Sequence, residues 1–394
     1  VNGMKTAALV SLILTVGVAC DVEPGPDGGD PRPSLLAEAL DALDYEPPGE
    51  LRRFLGASLR LEGLAARDAA GTPAWASPAV RSLRLTDLRF PPGSQSYLMD
   101  EDDGDADLQA ALIALGATPS RTHAPQFTDD HLARPGVGRI SLGNEPPIHV
   151  PEFEAWGGYT AWAGAMVGLG LAEPDRLYLQ TAQAKTILSS PVAPRQQQTW
   201  NAARDAWAAG AVPVRGVATT EKLWDVDASI LDELEADLEL YERDFPGARI
   251  WFTEWNATRD EAALVDDQSA ALAAAEMLLA VARLYYERSG QLEALHFHLG
   301  WAQASPDGIP RPALANVVDG TWQLSASGEA YRAFAPLLHG RWGSLPRSTQ
   351  ADVIVEAFTL EDGARVLAYV NKRTSSAVVH GVTLAPRSFG VVAP

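Results

Sequence analysis

"RISLGNEPPI" (residues 139–148) is an apolar run that ends in Gly143 and Asn144, presents a carboxylate at Glu145 and then meets Pro146 and Pro147. Proline cannot donate to a sheet ladder, so a strand through this stretch stops at the carboxylate. A second stretch repeats the arrangement: "ARIWFTE" (248–254) ends in Glu254 and is followed by Trp255 and Asn256. Two glutamates that each close an apolar run point to a sheet with chemistry at one end.

Working outward, "DASILDELEADLELYERDFPG" (227–247) opens with cap-type residues and stops at Pro246-Gly247. "DDQSAALAAAEMLLAVARLYYERSG" (266–290) opens on aspartates and closes at Gly290. Each helical pattern is followed at once by an apolar run, 248–254 and 292–300. Further strand-like runs lie at 55–63, 83–90, 137–144, 176–181 and 212–219. A third strand falls within 114–124, with almost no helix after it. Eight strands alternating with helices over 50–345 predict an α/β fold, a (β/α)8 TIM barrel. An open doubly wound sheet is the alternative, although no glycine-rich phosphate loop follows the first strand. From 346 to 394 apolar and polar residues alternate, with a turn at Glu361-Asp362-Gly363, which predicts a small antiparallel β-sandwich module.

The chain of 394 residues is 46% hydrophobic, enough for a substantial core, and carries 51 acidic against 31 basic residues, a net charge of −20. That balance excludes phosphate-backbone recognition, so no nucleic-acid partner is expected. Met4-Lys5 precedes "TAALVSLILTVGVA" and then Cys20, the single cysteine. The segment is too short to span a bilayer comfortably and reads as an export signal, residues 1–20. Cys20 resembles a bacterial lipoprotein's lipid-attachment site, which predicts a membrane partner and an envelope or extracellular location. Residues 21–49 begin with a Pro, Gly and Asp-rich run and read as a flexible linker.

In a parallel barrel, catalytic groups stand at the C-terminal ends of strands. Counted along the chain, Glu145 and Glu254 close the fourth and seventh strands. "GNEP" (143–146) and "FTEWN" (252–256) resemble the acid/base and nucleophile motifs of retaining (β/α)8-barrel glycoside hydrolases of clan A. "LRFPPGSQSYLMD" (88–100) resembles the second-strand segment of arabinofuranosidase-like and β-glucuronidase-like members, and "LAPRSFGVV" resembles their closing strand. The resemblance implies Glu145 as acid/base, Glu254 as nucleophile, Asn144 on the hydroxyl beside the reacting carbon and Arg89 keeping the nucleophile charged. It implies a carbohydrate partner and no cofactor.

Sugar faces stack on aromatic rings, and of eleven tryptophans Trp255, Trp301 and Trp224 lie near strand ends, with Trp301 the preferred platform. Trp156, Trp162, Trp200 and Trp207 read as packing residues. "HFH" (296–298) has a spacing that could ligate metal, but no third ligand is evident, so no metal is expected and His298 is assigned to substrate. The pattern departs from the clan at two places. The sixth-strand segment "RGVATTEKLWD" (215–225) has no His or Tyr, leaving Trp224 or Glu221 as stand-ins, and Pro92 replaces a glycine. A degenerate, non-catalytic barrel that binds glycans at the cell surface is the alternative function; a structural envelope lipoprotein is a third.

Overall fold

Eight short runs pair in parallel, each with the next, and the last pairs with the first: β1 (Gly56–Ser58), β2 (Asp87–Phe90), β3 (Thr118–His123), β4 (Arg139–Leu142), β5 (Leu177–Gln180), β6 (Gly216–Lys222), β7 (Arg249–Asn256) and β8 (Leu292–His298). The computed structural model describes residues 34–91, 97–100, 102–144, 153–188, 192–222, 228–256, 267–302, 313–350 and 352–394. The closed barrel confirms the expected fold class, the weak third strand included.

The helices form where capping and periodicity place them. Ser229 caps Ile230–Asp244 by accepting the Asp232 N–H, Asp232 and Glu233 fill the first turn, and Gly247 at φ +77° releases the chain into β7. The helix Asp267–Glu287 is long and apolar enough to cross a bilayer, but 83% of its apolar window is buried within the fold. Its alanines and leucines belong to the main core between barrel and helices. A separate apolar cluster of Tyr178, Ala218, Trp251 and Ala294 comes from strands β5 to β8.

The third βα unit has no crossover helix. A 3-10 turn at Asp129–His131 replaces it, and His131 packs there against Phe127 and His123. The His123 ring also stacks on Trp162 at 5.7 Å and 6°. Two aromatic side chains and two histidines thus supply the cover that a helix gives elsewhere.

After β8, β9 (Trp301–Ala302), β10 (Ala315–Val318) and β11 (Thr321–Leu324) form a three-stranded sheet. The C-terminal module is antiparallel, as expected. Strands β12 (Arg341–Gly343), β13 (Val353–Thr359), β14 (Arg365–Asn371) and β17 (Ser388–Val392) form one sheet, and β15 (Ala377–Val379) with β16 (Val382–Leu384) form a hairpin. It begins a few residues before position 346.

Within 21–49, expected as a flexible linker, residues 35–41 are instead helical and packed. Leu35–Asp41 is a helix capped by Ser34, and its Leu36 and Leu40 are buried against Leu345, Val353, Val355 and Leu367 of the module. Burying a leucine contributes about 1.5–3 kcal/mol, enough to hold a short segment down. Residues 1–33, with the export segment and Cys20, lie outside the described residues.

Candidate active site

Arg89 on β2 has a fully buried side chain. Its Nη1 donates to Glu254 Oε1 at 2.8 Å and to the Thr253 carbonyl at 3.3 Å, while Nη2 donates to Thr122 Oγ1 at 2.8 Å and Asn144 Oδ1 at 2.7 Å. One guanidinium therefore ties together the ends of β2, β3, β4 and β7. Its planar fork reaches an acceptor on each side in a way a lysine could not.

A bulge in β7 makes this possible. Against β6, Phe252 pairs with Thr219 and Glu254 with Thr220, so Thr253 is an extra residue. One extra residue reverses which face the following side chains occupy. Trp251 joins the cluster with Tyr178, Ala218 and Ala294, Phe252 joins the main core, and Glu254 turns to Arg89. The Thr253 carbonyl, displaced by the bulge, also accepts from Ser58 Oγ at 2.7 Å.

His298 Nδ1 lies 3.5 Å from Glu254 Oε2, so the two carboxylate oxygens face a guanidinium and an imidazole. Asn144 Nδ2 is buried and has no hydrogen-bond partner among the described residues. Its carbonyl end is fixed by Arg89, which sets the direction of this donor. Tyr97 clamps the same residue's backbone, its hydroxyl accepting the Asn144 N–H and donating to the Asn144 carbonyl, both at 2.8 Å. Glu145 lies outside the described residues, as do Pro92 and Trp224.

Of the candidate site residues, Arg89, Asn144, Glu254 and His298 lie together. The two aromatic assignments do not. Trp255 follows the bulge residue, faces outward and is buried, with Nε1 donating to Tyr331 Oη at 3.2 Å and its ring edge-on to Phe297. Trp301 is equally buried, with Nε1 donating to the Gly63 carbonyl at 3.1 Å. Neither ring has a face open to a sugar.

The other histidine of "HFH" has both ring nitrogens engaged. Trp251 Nε1 donates to His296 Nδ1 at 2.8 Å, which makes Nε2 the protonated nitrogen that donates to Asp87 at 2.9 Å. Burial holds His296 below its usual range and neutral. Burial opposes the charge on Asp87 too, but His296 and Arg139 outweigh it and hold that carboxyl below its usual range.

Sequence reasoning missed Tyr97, Thr122 and Ser58. Thr122 alternates with Ser120 on β3, a small polar pair on one face of a strand, and that was the available signal. Tyr97 carried none, because its partner is backbone.

No protein-family model and no curated protein matches the sequence. Solved structures do match. A GH51 arabinofuranosidase from Xanthomonas axonopodis pv. citri superposes with a TM-score of 0.59 at 10% identity, over 89% of this chain and 93% of the other. The chain has the fold of these arabinofuranosidases. A family 51 α-L-arabinofuranosidase from Bifidobacterium longum gives 0.59 at 10% identity, over 84% and 85%. One from Thermotoga maritima gives 0.56 at 14%, over 86% and 85%. The arabinofuranosidase fold thus extends across the barrel and the C-terminal sheets.

Proposed function

We propose that this chain is a retaining glycoside hydrolase that cleaves a poly- or oligosaccharide with two glutamates. The observation that carries the reading is the buried hydrogen-bonded set of Arg89, Glu254 and Asn144 at the C-terminal ends of barrel strands. The fold shared with arabinofuranosidases supports it.

Glu254 attacks the anomeric carbon and forms a glycosyl ester while the glycosidic C–O bond breaks. Glu145, next in sequence to Asn144, gives its proton to the departing oxygen. It then takes a proton from the water that hydrolyses the ester, which returns the sugar with its original configuration. Asn144 Nδ2 holds the hydroxyl beside the reacting carbon, and His298 contacts the nucleophile and the sugar. The protein is exported and anchored at the cell envelope through Cys20.

The test is hydrolysis of a panel of aryl α-L-arabinofuranosides and aryl β-glucosides, with the corresponding neutral oligosaccharides, by wild type, Glu254→Gln and Glu145→Gln. The reading expects turnover of at least one sugar that Glu254→Gln abolishes and Glu145→Gln lowers. Binding without turnover by the wild type favours the degenerate barrel. Mass spectrometry of the N-terminus tests the anchor, and an unmodified Cys20 overturns that part.

A further inference from the structure

Trp156 is the one exposed tryptophan among the described residues, at 45%, although its spacing read as packing. It stands on a built turn. The Phe153 carbonyl accepts the N–H groups of both Trp156 and Gly158 at 3.0 Å, and Gly157 N–H donates to the Glu154 carbonyl at 3.0 Å. Gly157 and Gly158 have φ of +79° and +110°, and a Cβ on either would meet nothing closer than Ala161 Cβ at 4.0 Å. Backbone conformation, not space, calls for glycine here.

Residues on both sides of Trp156 line a cavity of about 480 Å³, with Phe153, Glu154, Gly157, Tyr159, Gln198 and Thr199 in its wall. This cavity adjoins the candidate active site. The rings of Tyr159 and Phe153 come within 3.3 and 3.4 Å of where Gly143 would carry a Cβ, one residue before Asn144. Tyr159 Oη also donates to the Leu142 carbonyl at 2.7 Å and accepts the Gln180 N–H at 2.6 Å, joining the ends of β4 and β5.

We propose that Trp156 and this cavity form a subsite for a neutral sugar unit of an oligosaccharide, beyond the unit held at Glu254. The inference rests on the glycosidase reading and adds that the substrate is a chain. The exposed ring of Trp156 stands beside a lining that offers the amide of Gln198 and the hydroxyls of Thr160 and Thr199, the pairing that serves a sugar's apolar face and its hydroxyl rim. No lysine or arginine lines the cavity among the described residues, and Glu154 repels an anionic sugar.

Wild type, Trp156→Ala and Gln198→Ala are compared on the aryl monoglycosides and neutral oligosaccharides of the panel. Binding of the same oligosaccharides is followed by tryptophan fluorescence and calorimetry. Because Trp156 is exposed, its variant keeps the wild-type Tm. The subsite predicts KM for the oligosaccharide raised about tenfold in Trp156→Ala, with the aryl monoglycoside unaffected. An equal effect on both substrates, or on neither, overturns it. If nothing in the panel is hydrolysed but oligosaccharide affinity falls in Trp156→Ala, the subsite stands and the hydrolase reading falls. Hydrolysis without any Trp156 effect leaves the hydrolase reading and removes the subsite. Neither hydrolysis nor binding removes both.

Discussion

Arg89 Nη1 lies 2.8 Å from Glu254 Oε1, and neither side chain is more than 2% exposed. Two opposite charges buried this deeply depend on each other, because removing one leaves the other without compensation. Arg89→Met is expected to destabilise the fold by about 3–5 kcal/mol, measured by urea unfolding. Glu254→Gln keeps an oxygen for the guanidinium and is expected to cost less. Equal stability of wild type and Arg89→Met would show that the pair does not hold the barrel ends together.

Catalysis should separate the two glutamates. Glu145→Gln removes proton transfer and is expected to lower kcat by about 10²–10⁴-fold, least on aryl glycosides whose leaving group needs no proton. Glu254→Gln should abolish turnover whatever the leaving group. A Glu145→Gln variant with the same loss on every leaving group argues against its role as acid.

Much of this was legible because a barrel strand buried on both faces reads as an apolar run, and a glutamate interrupting that run stands out. Asn144 and Glu254, which meet on Arg89, were legible that way. The bulge at Thr253 was not legible, since an extra residue leaves no mark in composition. Strict alternation sets Trp251 and Trp255 on one face, whereas the bulge sends them to opposite sides. Trp301 follows an apolar stretch but belongs to the sheet after β8, where it pairs with Ala315. Trp156 looked like a helix residue because nothing local reveals that the turn holds it outward. The helix at Leu35–Asp41 was lost in a proline-rich context because its burial partners lie some three hundred residues away.

The His123 and His131 pair predicts a pH dependence of stability. Their Nδ1 atoms are 3.3 Å apart, and burial pushes His123 down to about 3 and His131 down to about 2. Unfolded histidines titrate near 6.5, so between about pH 6.5 and 3 the unfolded state binds more protons and stability falls as the pH falls. Burial pushes Glu356 up to about 7, and its contribution runs the opposite way, fully present below about 4.5 and lost as the pH rises through 7. The comparison must therefore be between proteins. His131→Phe should lose less stability than wild type between pH 7 and 5.5, by about 1 kcal/mol. Parallel curves for the two proteins would contradict the assignment.

Lys372 of the C-terminal module donates to Glu276 Oε2 at 2.9 Å, and neither is more than 3% exposed. Glu276 Oε1 also accepts the Ile230 N–H at 2.8 Å. Lys372→Met should destabilise by about 3–5 kcal/mol because Glu276 is left buried and charged. Adding Glu276→Gln, which keeps the acceptor for Ile230 without the charge, should recover most of that loss. A double variant no more stable than Lys372→Met refutes the coupling.

Gly216 opens β6, and a Cβ there would sit 1.9 Å from the Arg249 carbonyl oxygen on β7. Gly216→Ala must push two barrel strands apart and is expected to cost about 1–3 kcal/mol by urea unfolding. An unchanged midpoint would mean that the strands move apart freely at this end.

A glycosyl ester on Glu254 is detected by the mass of the protein after incubation with activated 2-deoxy-2-fluoro glycosides of the panel sugars, followed by mapping of the labelled peptide. Double displacement predicts one covalent glycosyl adduct, on the peptide that contains Glu254, absent from Glu254→Gln. An adduct on another residue, or wild-type hydrolysis of a panel glycoside that yields a sugar of inverted configuration and never an adduct, would contradict it.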